Sequence, residues 1–150
     1  MYESVAVSPV GPLKLISTDE ALLAVIPEDS APLCTPRDEI GRRTAEQLEQ
    51  YFAGTRREFE LPLAPRGTEF QRLVWHALTE IPYGETRTYG EIAEMIGRPT
   101  AARAVGGAVG ANPILIIVPC HRILAANGIG GFSCGLWRKK ILLEQEEIVF

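Results

Sequence analysis

The fold class this sequence predicts is α+β: a small α/β N-terminal lobe with an antiparallel sheet, then a helical C-terminal domain with a helix-turn-helix and a short strand pair. Three observations predict it. The chain opens with three short β-branched or apolar runs, at residues 2–7, 13–18 and 21–26. Further on, Thr68-x-x-Gln71 and Thr88-x-x-Glu91 are capping-box patterns, each opening a helical stretch. Between the two halves, Pro65-Arg66-Gly67 reads as a linker, so the domains are expected at 1–66 and 67–150.

Each element follows from local chemistry. Pro9, Gly11-Pro12 and Asp19-Glu20 separate the first three runs into a meander. Residues 36–52 place Ile40, Leu48, Tyr51 and Phe52 among charges, which predicts an amphipathic helix ending at Gly54. Phe59-Glu60-Leu61-Pro62-Leu63 reads as one more strand. Phe70, Leu73, Val74, Ala77, Leu78 and Ile81 then make one apolar helical stripe, which reads as core. Trp75 and His76 fall beside the stripe, and His76 reads as a surface or satisfied histidine rather than a ligand. Pro82-Tyr83-Gly84 breaks this helix. A short helix from the Thr88 cap through Ile96 ends at Gly97, and Pro99-Thr100 start the next, 101–110. Two short helices joined by a Gly-Arg-Pro turn match a helix-turn-helix outline, one that ordinary packed helix pairs share.

Composition narrows the class of function. At 150 residues the chain can bury a real core. The net charge of −4 is uneven: residues 1–66 hold 7 Lys/Arg against 11 Asp/Glu, whereas residues 67–150 hold 8 of each. That balance excludes a broad phosphate-neutralising surface while leaving room for a local one. No run of about 18 apolar residues appears, so no membrane span is expected. The opening MYESVAVSPV lacks the basic and apolar regions of a secretory signal. Cys34, Cys120 and Cys134 form neither a C-x-x-C pair nor a cluster with histidine, so a zinc site is not expected and a reduced, cytoplasmic compartment is.

Residues 101–110 carry almost no large polar side chain. A major-groove reader needs Arg, Asn or Gln, and this helix offers only Arg103. Gly106 and Gly107 each cost about 1 kcal/mol against alanine in a helix, so they call for a reason. One is tight packing on the apolar 114–118 segment. The other is a smooth helix in a narrow minor groove, with Arg103 as its one long projection.

Pro119-Cys120-His121-Arg122 is the strongest chemical signal. It joins a thiol to an imidazole at the end of Ile114-Leu115-Ile116-Ile117-Val118, which reads as a fully buried strand delivering the cysteine to its edge. Thiolate is the attacking species, and a neighbouring imidazole can generate it. An isolated cysteine is otherwise most often simply buried.

Taken with the surrounding motifs, the chain resembles the O6-alkylguanine-DNA alkyltransferases, the methylated-DNA–protein-cysteine methyltransferase family. The resemblance rests on Gly67-Thr68-Glu69-Phe70-Gln71, Ile81-Pro82-Tyr83-Gly84-Glu85-Thr86, Ala102-Arg103-Ala104-Val105-Gly106-Gly107-Ala108, Asn112-Pro113 and Ile117-Val118-Pro119-Cys120-His121-Arg122. It is dense over 67–150 and looser over 1–66, where it holds mainly at Gln50-Tyr51-Phe52-Ala53-Gly54 and Leu61-Pro62-Leu63.

The resemblance implies transfer of an alkyl group from O6 of guanine in duplex DNA to Cys120, without regeneration, after the nucleotide is flipped into a pocket. The resemblance leaves open whether O4-alkylthymine is a further substrate. The sulfur is expected at the floor of a cavity sized for an everted purine. His121 would be the base, acting through a bridging water or a turn because sequence neighbours on an extended chain face apart. Glu146 would hold His121, leaving Glu144 and Glu147 as solvated charges. Asn112 would tie the active-site turn to the helix pair. Tyr89 would crowd the phosphate beside the flipped nucleotide and donate a proton to N3 of the leaving guanine. Arg103 would fill the space left by the extruded base, with Ala102, Gly106, Gly107 and Val109 on the same DNA-facing helix. Ser133, in the glycine-rich 127–135 wall, would contact the O6 side, and the Cys120 and Ile123 carbonyls the exocyclic amine. The implied partner is double-stranded DNA, through the minor groove and largely independent of sequence. The protein is expected to be a monomer with no membrane partner, and no cofactor is implied.

Three positions depart from the commoner family pattern. Cys134 replaces the first glycine of a Gly-Gly pair, Gln145 stands where histidine often precedes the glutamate, and Gly110 stands where some members carry a basic residue. Two other classes fit part of the pattern. A Cys-His hydrolase would use the same thiolate but leave the helix pair unexplained. A non-catalytic lesion binder would share the helix pair, but the alkyltransferase-like proteins of that kind lack the cysteine that Cys120 supplies.

Overall fold

β1 (Tyr2–Ala6), β2 (Leu13–Ser17) and β3 (Leu22–Pro27) form an antiparallel sheet in that order, with Leu15 opposite Ser4 on one side and Val25 on the other. The computed structural model describes residues 1–150, and this sheet belongs to the first of two compact units, 1–66 and 67–150. Along β2 Leu13, Leu15 and Ser17 are buried and the residues between them half-exposed, the period of two that a sheet covered on one face demands.

The covering element is α1 (Glu39–Phe52), which turns Ile40, Thr44, Leu48 and Tyr51 inward. It starts three residues later than the sequence pattern from Pro36 predicts, because Asp38 is the cap. The Asp38 carboxylate accepts the Gly41 N–H at 3.2 Å and the Ser17 hydroxyl at 2.7 Å, so one buried group caps the start of the helix and pins it to β2. The strand predicted at 59–63 does not form. Only Leu63 pairs, parallel to Leu22, with the Leu22 N–H donating to Pro62 at 2.8 Å and the Ala64 N–H to Leu22 at 2.9 Å. Pro62 and Pro65 have no N–H with which to extend the ladder.

In the second unit, α2 (Glu69–Thr79) starts at a complete Thr68–Gln71 capping box. Its buried face is rotated from the predicted stripe: Trp75 is 2% exposed, Leu73 is 38% exposed, and His76 lies at the surface against Glu80 at 3.6 Å. The indole wins the core position because its N–H finds a partner there, the Ala108 carbonyl at 2.8 Å. β4 (Arg87–Thr88) leads into α3 (Tyr89–Met95) through the complete Thr88–Glu91 capping box. A turn through Pro99 and Thr100, closed by the Ala101 N–H on Arg98 at 2.9 Å, then opens α4 (Ala102–Gly110), which packs on α2 and α3. β5 (Ile123–Leu124) pairs parallel with β4, and α5 (Leu136–Gln145) closes the unit.

Residues 114–118 are buried as expected but are not a strand. They form successive turns, with the Val118 N–H on Ile114 at 3.1 Å, the Ile117 N–H on Leu115 at 2.8 Å and Ile116 at φ 72°. A short apolar run reports burial, not backbone shape, and the prolines at 113 and 119 favour coiling. A left-handed β-branched residue costs on the order of 1–3 kcal/mol and persists only where its surroundings over-determine it.

Removing the shared cap is the direct test of how the first unit is held. Asp38→Ala is expected to lower the unfolding free energy by about 1–2 kcal/mol in urea titrations, with Asp38→Asn recovering most of the loss.

Candidate active site

The Asn112 side chain builds the turn that presents the cysteine. Its amide oxygen accepts the Ile114 N–H at 3.0 Å and its amide nitrogen donates to the Val118 carbonyl at 2.8 Å, clamping both ends of the buried loop. Pro119 then turns the chain so that the Cys120 N–H meets Val118 at 2.8 Å, and Cys120–Arg122 forms one 3-10 turn leading into β5. Successive side chains on such a turn stand about 120° apart rather than opposed. Cys120 and His121 therefore need not face apart as they would on a strand.

Behind the turn lies a buried ion network. His121 Nε2 is 2.6 Å from Glu146 Oε2, and both side chains are fully buried. Arg122 holds the same carboxylate from two sides, Nε to Oε1 at 2.8 Å and Nη2 to Oε2 at 3.1 Å, and donates Nη1 to the Ile81 carbonyl at 2.6 Å. The Gly84 N–H donates to Oε1 at 3.0 Å, an approach set by the left-handed Gly84 (φ 81°). Burial alone would raise the Glu146 pKa, but the His121, Arg122 and Gly84 bonds outweigh it and hold the carboxyl far below the usual range. Burial lowers the His121 pKa against the pull of Glu146, favouring the neutral ring. With an ionised carboxylate at Nε2, that nitrogen carries the proton, and Nδ1 is left as the lone-pair atom. Nδ1 is buried and has no hydrogen-bond partner on the protein. It is a base with its acceptor position open.

Cys120 is 5% exposed, and burial pushes its thiol up to about 12, with Asn112 and Lys139 pulling the other way. The resting group is a thiol. Burial and the nearby sulfur raise the Tyr89 phenol as well. Tyr89 lines a cavity of about 230 Å³ with Gly106, Val109, Gly110, Gly131, Phe132 and Ser133, smaller than pockets for drug-sized ligands. Cys120 is not itself on this lining, a difference from the expectation that the sulfur forms the cavity floor. The Ser133 hydroxyl donates to the Gly110 carbonyl at 2.8 Å and so ties the glycine-rich wall to α4. The Cys120 carbonyl already accepts the Ile123 N–H, and the Ile123 carbonyl accepts Lys139 at 2.6 Å, leaving each with one further lone pair. On α4, Arg103 and Gly107 are exposed and Ala102 half-buried, while Val109 is buried.

Two family models cover nearly the whole chain: the 6-O-methylguanine DNA methyltransferase ribonuclease-like domain over residues 1–65 and the DNA binding domain of the same name over 69–148. The chain belongs to the 6-O-methylguanine DNA methyltransferase family. It is 50% identical over 153 residues to a methylated-DNA–protein-cysteine methyltransferase of Methanosarcina acetivorans, covering 97% of this chain and 98% of that one. The crystal structure of the Mycobacterium tuberculosis O6-methylguanine methyltransferase superposes with a TM-score of 0.88 at 46% identity, covering 97% of this chain and 92% of that one. The Mycobacterium tuberculosis protein in complex with DNA gives 0.85 at 44% identity, covering 98% and 93%.

In this family member the fold gathers Cys120, His121, Glu146, Asn112 and Tyr89 into one region and sets Arg103 apart on the surface. Sequence reasoning gave no role to Arg122, Gly84 or Lys139. Packing of the α4 glycines, one of the two reasons considered for them, is not what the structure shows. A Cβ at Gly107 would meet nothing within 4 Å, and one at Gly106 would only reach the Tyr89 ring at 3.7 Å.

The network sets a pH dependence. Because the Glu146 pKa is depressed on folding, its stabilisation is complete above the ordinary carboxylate range and is lost as pH falls below it. Glu146→Gln is expected to flatten that acid limb and to cost about 3–5 kcal/mol near neutral pH, measured by urea unfolding across pH.

Proposed function

We propose that this chain repairs O6-alkylguanine in duplex DNA by moving the alkyl group onto Cys120, once per molecule, with the damaged nucleotide flipped out of the stack. The observation that carries the reading is the open Nδ1 of His121, one residue from Cys120 and backed by a buried carboxylate. The thiol proton passes through a bridging water to Nδ1, and the imidazolium is stabilised by Glu146. The Cys120 sulfur attacks the alkyl carbon, the S–C bond forms, and the C–O6 bond breaks with its electron pair leaving on the purine. Tyr89 supplies a proton at N3, and the proton held on His121 restores the phenol. A thioether has no proton to lose and is a poor leaving group, so the protein is consumed.

On this reading residues 67–150 hold the chemistry and the DNA contact, and 1–66 form a supporting lobe. The DNA face is Ala102, Arg103, Gly106 and Gly107 on α4, entering the minor groove, with Arg103 filling the gap in the stack; Val109, expected on the same face, is buried and lines the Tyr89 cavity instead. The empty space outside Gly107 supports it, because that glycine leaves a flat surface no internal contact requires. Ser133 and the second lone pairs of the Cys120 and Ile123 carbonyls are the proposed base contacts. Only Arg103 on α4 could read base edges, so binding is largely sequence-independent, and few cations face outward, so it is only modestly sensitive to salt. The protein acts as a monomer in the cytoplasm.

Intact mass measurement after incubation with an O6-methylguanine duplex is expected to show one added methyl group, mapped to Cys120. Cys120→Ser should bind the same duplex without gaining it, and transfer by that variant at the native rate overturns the assignment. Arg103→Ala is expected to slow repair of duplex more than reaction with free O6-alkylguanine, since only duplex requires extrusion; equal losses count against the arginine's role.

A further inference from the structure

Lys139 is a buried cation with no carboxylate partner. It sits on α5, its residue is 0% exposed, and its ammonium donates to three main-chain carbonyls: Ile123 at 2.6 Å, Ile129 at 2.7 Å and Gly131 at 3.1 Å. All three ammonium hydrogens are used. Ile123 directly follows the Cys120–Arg122 turn, while Gly131 begins the wall of the Tyr89 cavity. One side chain thus ties the cysteine's segment to the wall. The loop runs close beside it: at Gly130, whose φ of 76° already favours glycine, a Cβ would stand a tight 3.1 Å from the Ala125 nitrogen and in ordinary contact, 3.5 Å, with the ammonium.

A buried charge normally finds an opposite charge. The only buried carboxylate near the site, Glu146, is engaged by His121 and Arg122. From the 3-10 turn, Cys120 and His121 are the titratable groups that feel Lys139. β5 and the 129–131 segment offer it carbonyls only. On its own helix Arg138 turns to the Cys134 carbonyl and the Trp137 ring, and Lys140 is exposed.

We infer that Lys139 is a positioning residue for alkyl transfer, its ammonium holding the cavity wall to the cysteine's segment and serving as the counter-charge when the Cys120 thiolate forms. The inference rests on the transfer reading above. The thiolate appears only during reaction, when burial would otherwise oppose it most, so a fixed cation nearby favours the thiolate over the resting thiol; the same cation disfavours the His121 imidazolium, so its net help to transfer is greatest once the proton has left His121. Burial also pulls Lys139 itself down to about 8, within reach of an ordinary pH series.

The test is the single-turnover rate of methyl transfer from an O6-methylguanine duplex between pH 6 and pH 10, for the native protein, Lys139→Arg and Lys139→Met. The native rate is expected to hold or rise up to about pH 8, since His121 is already neutral and the Cys120 thiol gives up its proton more readily, and then fall as pH passes about 8. Lys139→Arg, which keeps its charge throughout, should lose the falling limb while retaining transfer below pH 8. Lys139→Met should react on the order of a hundredfold more slowly at pH 7, also without the falling limb. A native rate that climbs steadily to pH 10, or a folded Lys139→Met with the native profile, overturns the inference. If Lys139→Met does not fold, the native and Lys139→Arg profiles decide it alone. Native protein that gains no methyl group at any pH sinks the transfer reading instead.

Discussion

One carboxylate organises the second unit. Glu146 lies just past the end of α5 and binds His121, Arg122 and the Gly84 N–H at once, joining three stretches of chain far apart in sequence. An ionised carboxyl at that depth would be costly alone, by several kcal/mol even after relaxation. Charged and neutral donors filling its lone pairs are what make it tolerable. The same bonds fix the tautomer of His121, so folding itself leaves Nδ1 as the lone-pair atom. The turn at 120–122 cannot be repacked without leaving a charge unpaired.

The electrostatics of the site follow from this commitment. Arg122 and Glu146 neutralise one another, leaving Lys139 as the unpaired charge and Cys120 as a neutral thiol. Reactive cysteines elsewhere are commonly exposed and ionised, which makes them open to oxidation and to indiscriminate electrophiles. A buried, protonated thiol avoids both. On the proposed mechanism its reactivity depends on proton removal through Nδ1, and that coupling suits a protein that reacts once. An idle encounter that alkylated the sulfur would waste the molecule.

Much of this was legible in the sequence, for identifiable reasons. The sheet and both capping boxes rest on local patterns that tertiary contacts reinforced. Cys120, His121 and Asn112 could be singled out because their spacing is short and their chemistry uncommon. The misreadings fall where packing decides. The 114–118 run announced its burial, but its coiling depends on the Asn112 clamp and on a left-handed Ile116 that no propensity favours. Trp75 took the core from Leu73 through a bond to Ala108, a partner visible only in three dimensions. Lys139 did leave a trace. With Leu142, Leu143 and Glu146 it follows the i, i+3, i+4, i+7 spacing of one helix face, and two of those four are fully apolar. A lysine and a glutamate in register with a buried stripe are out of place on a solvated surface.

The glycines of α4 show the same logic from outside. Two of them in a helix interior cost about 1 kcal/mol each relative to alanine, and at Gly107 nothing within the unit offsets the loss. The helix also lacks any side-chain cap at Ala101. A nine-residue helix so composed has little stability of its own, and what holds it is the packing of Val105, Ala108 and Val109 together with the Trp75 bond. Its outer face has therefore been kept bare at the expense of stability. A featureless surface with a single arginine makes no sense for reading base edges. It suits close approach to a groove wall, where every added methyl group would hold the two surfaces apart.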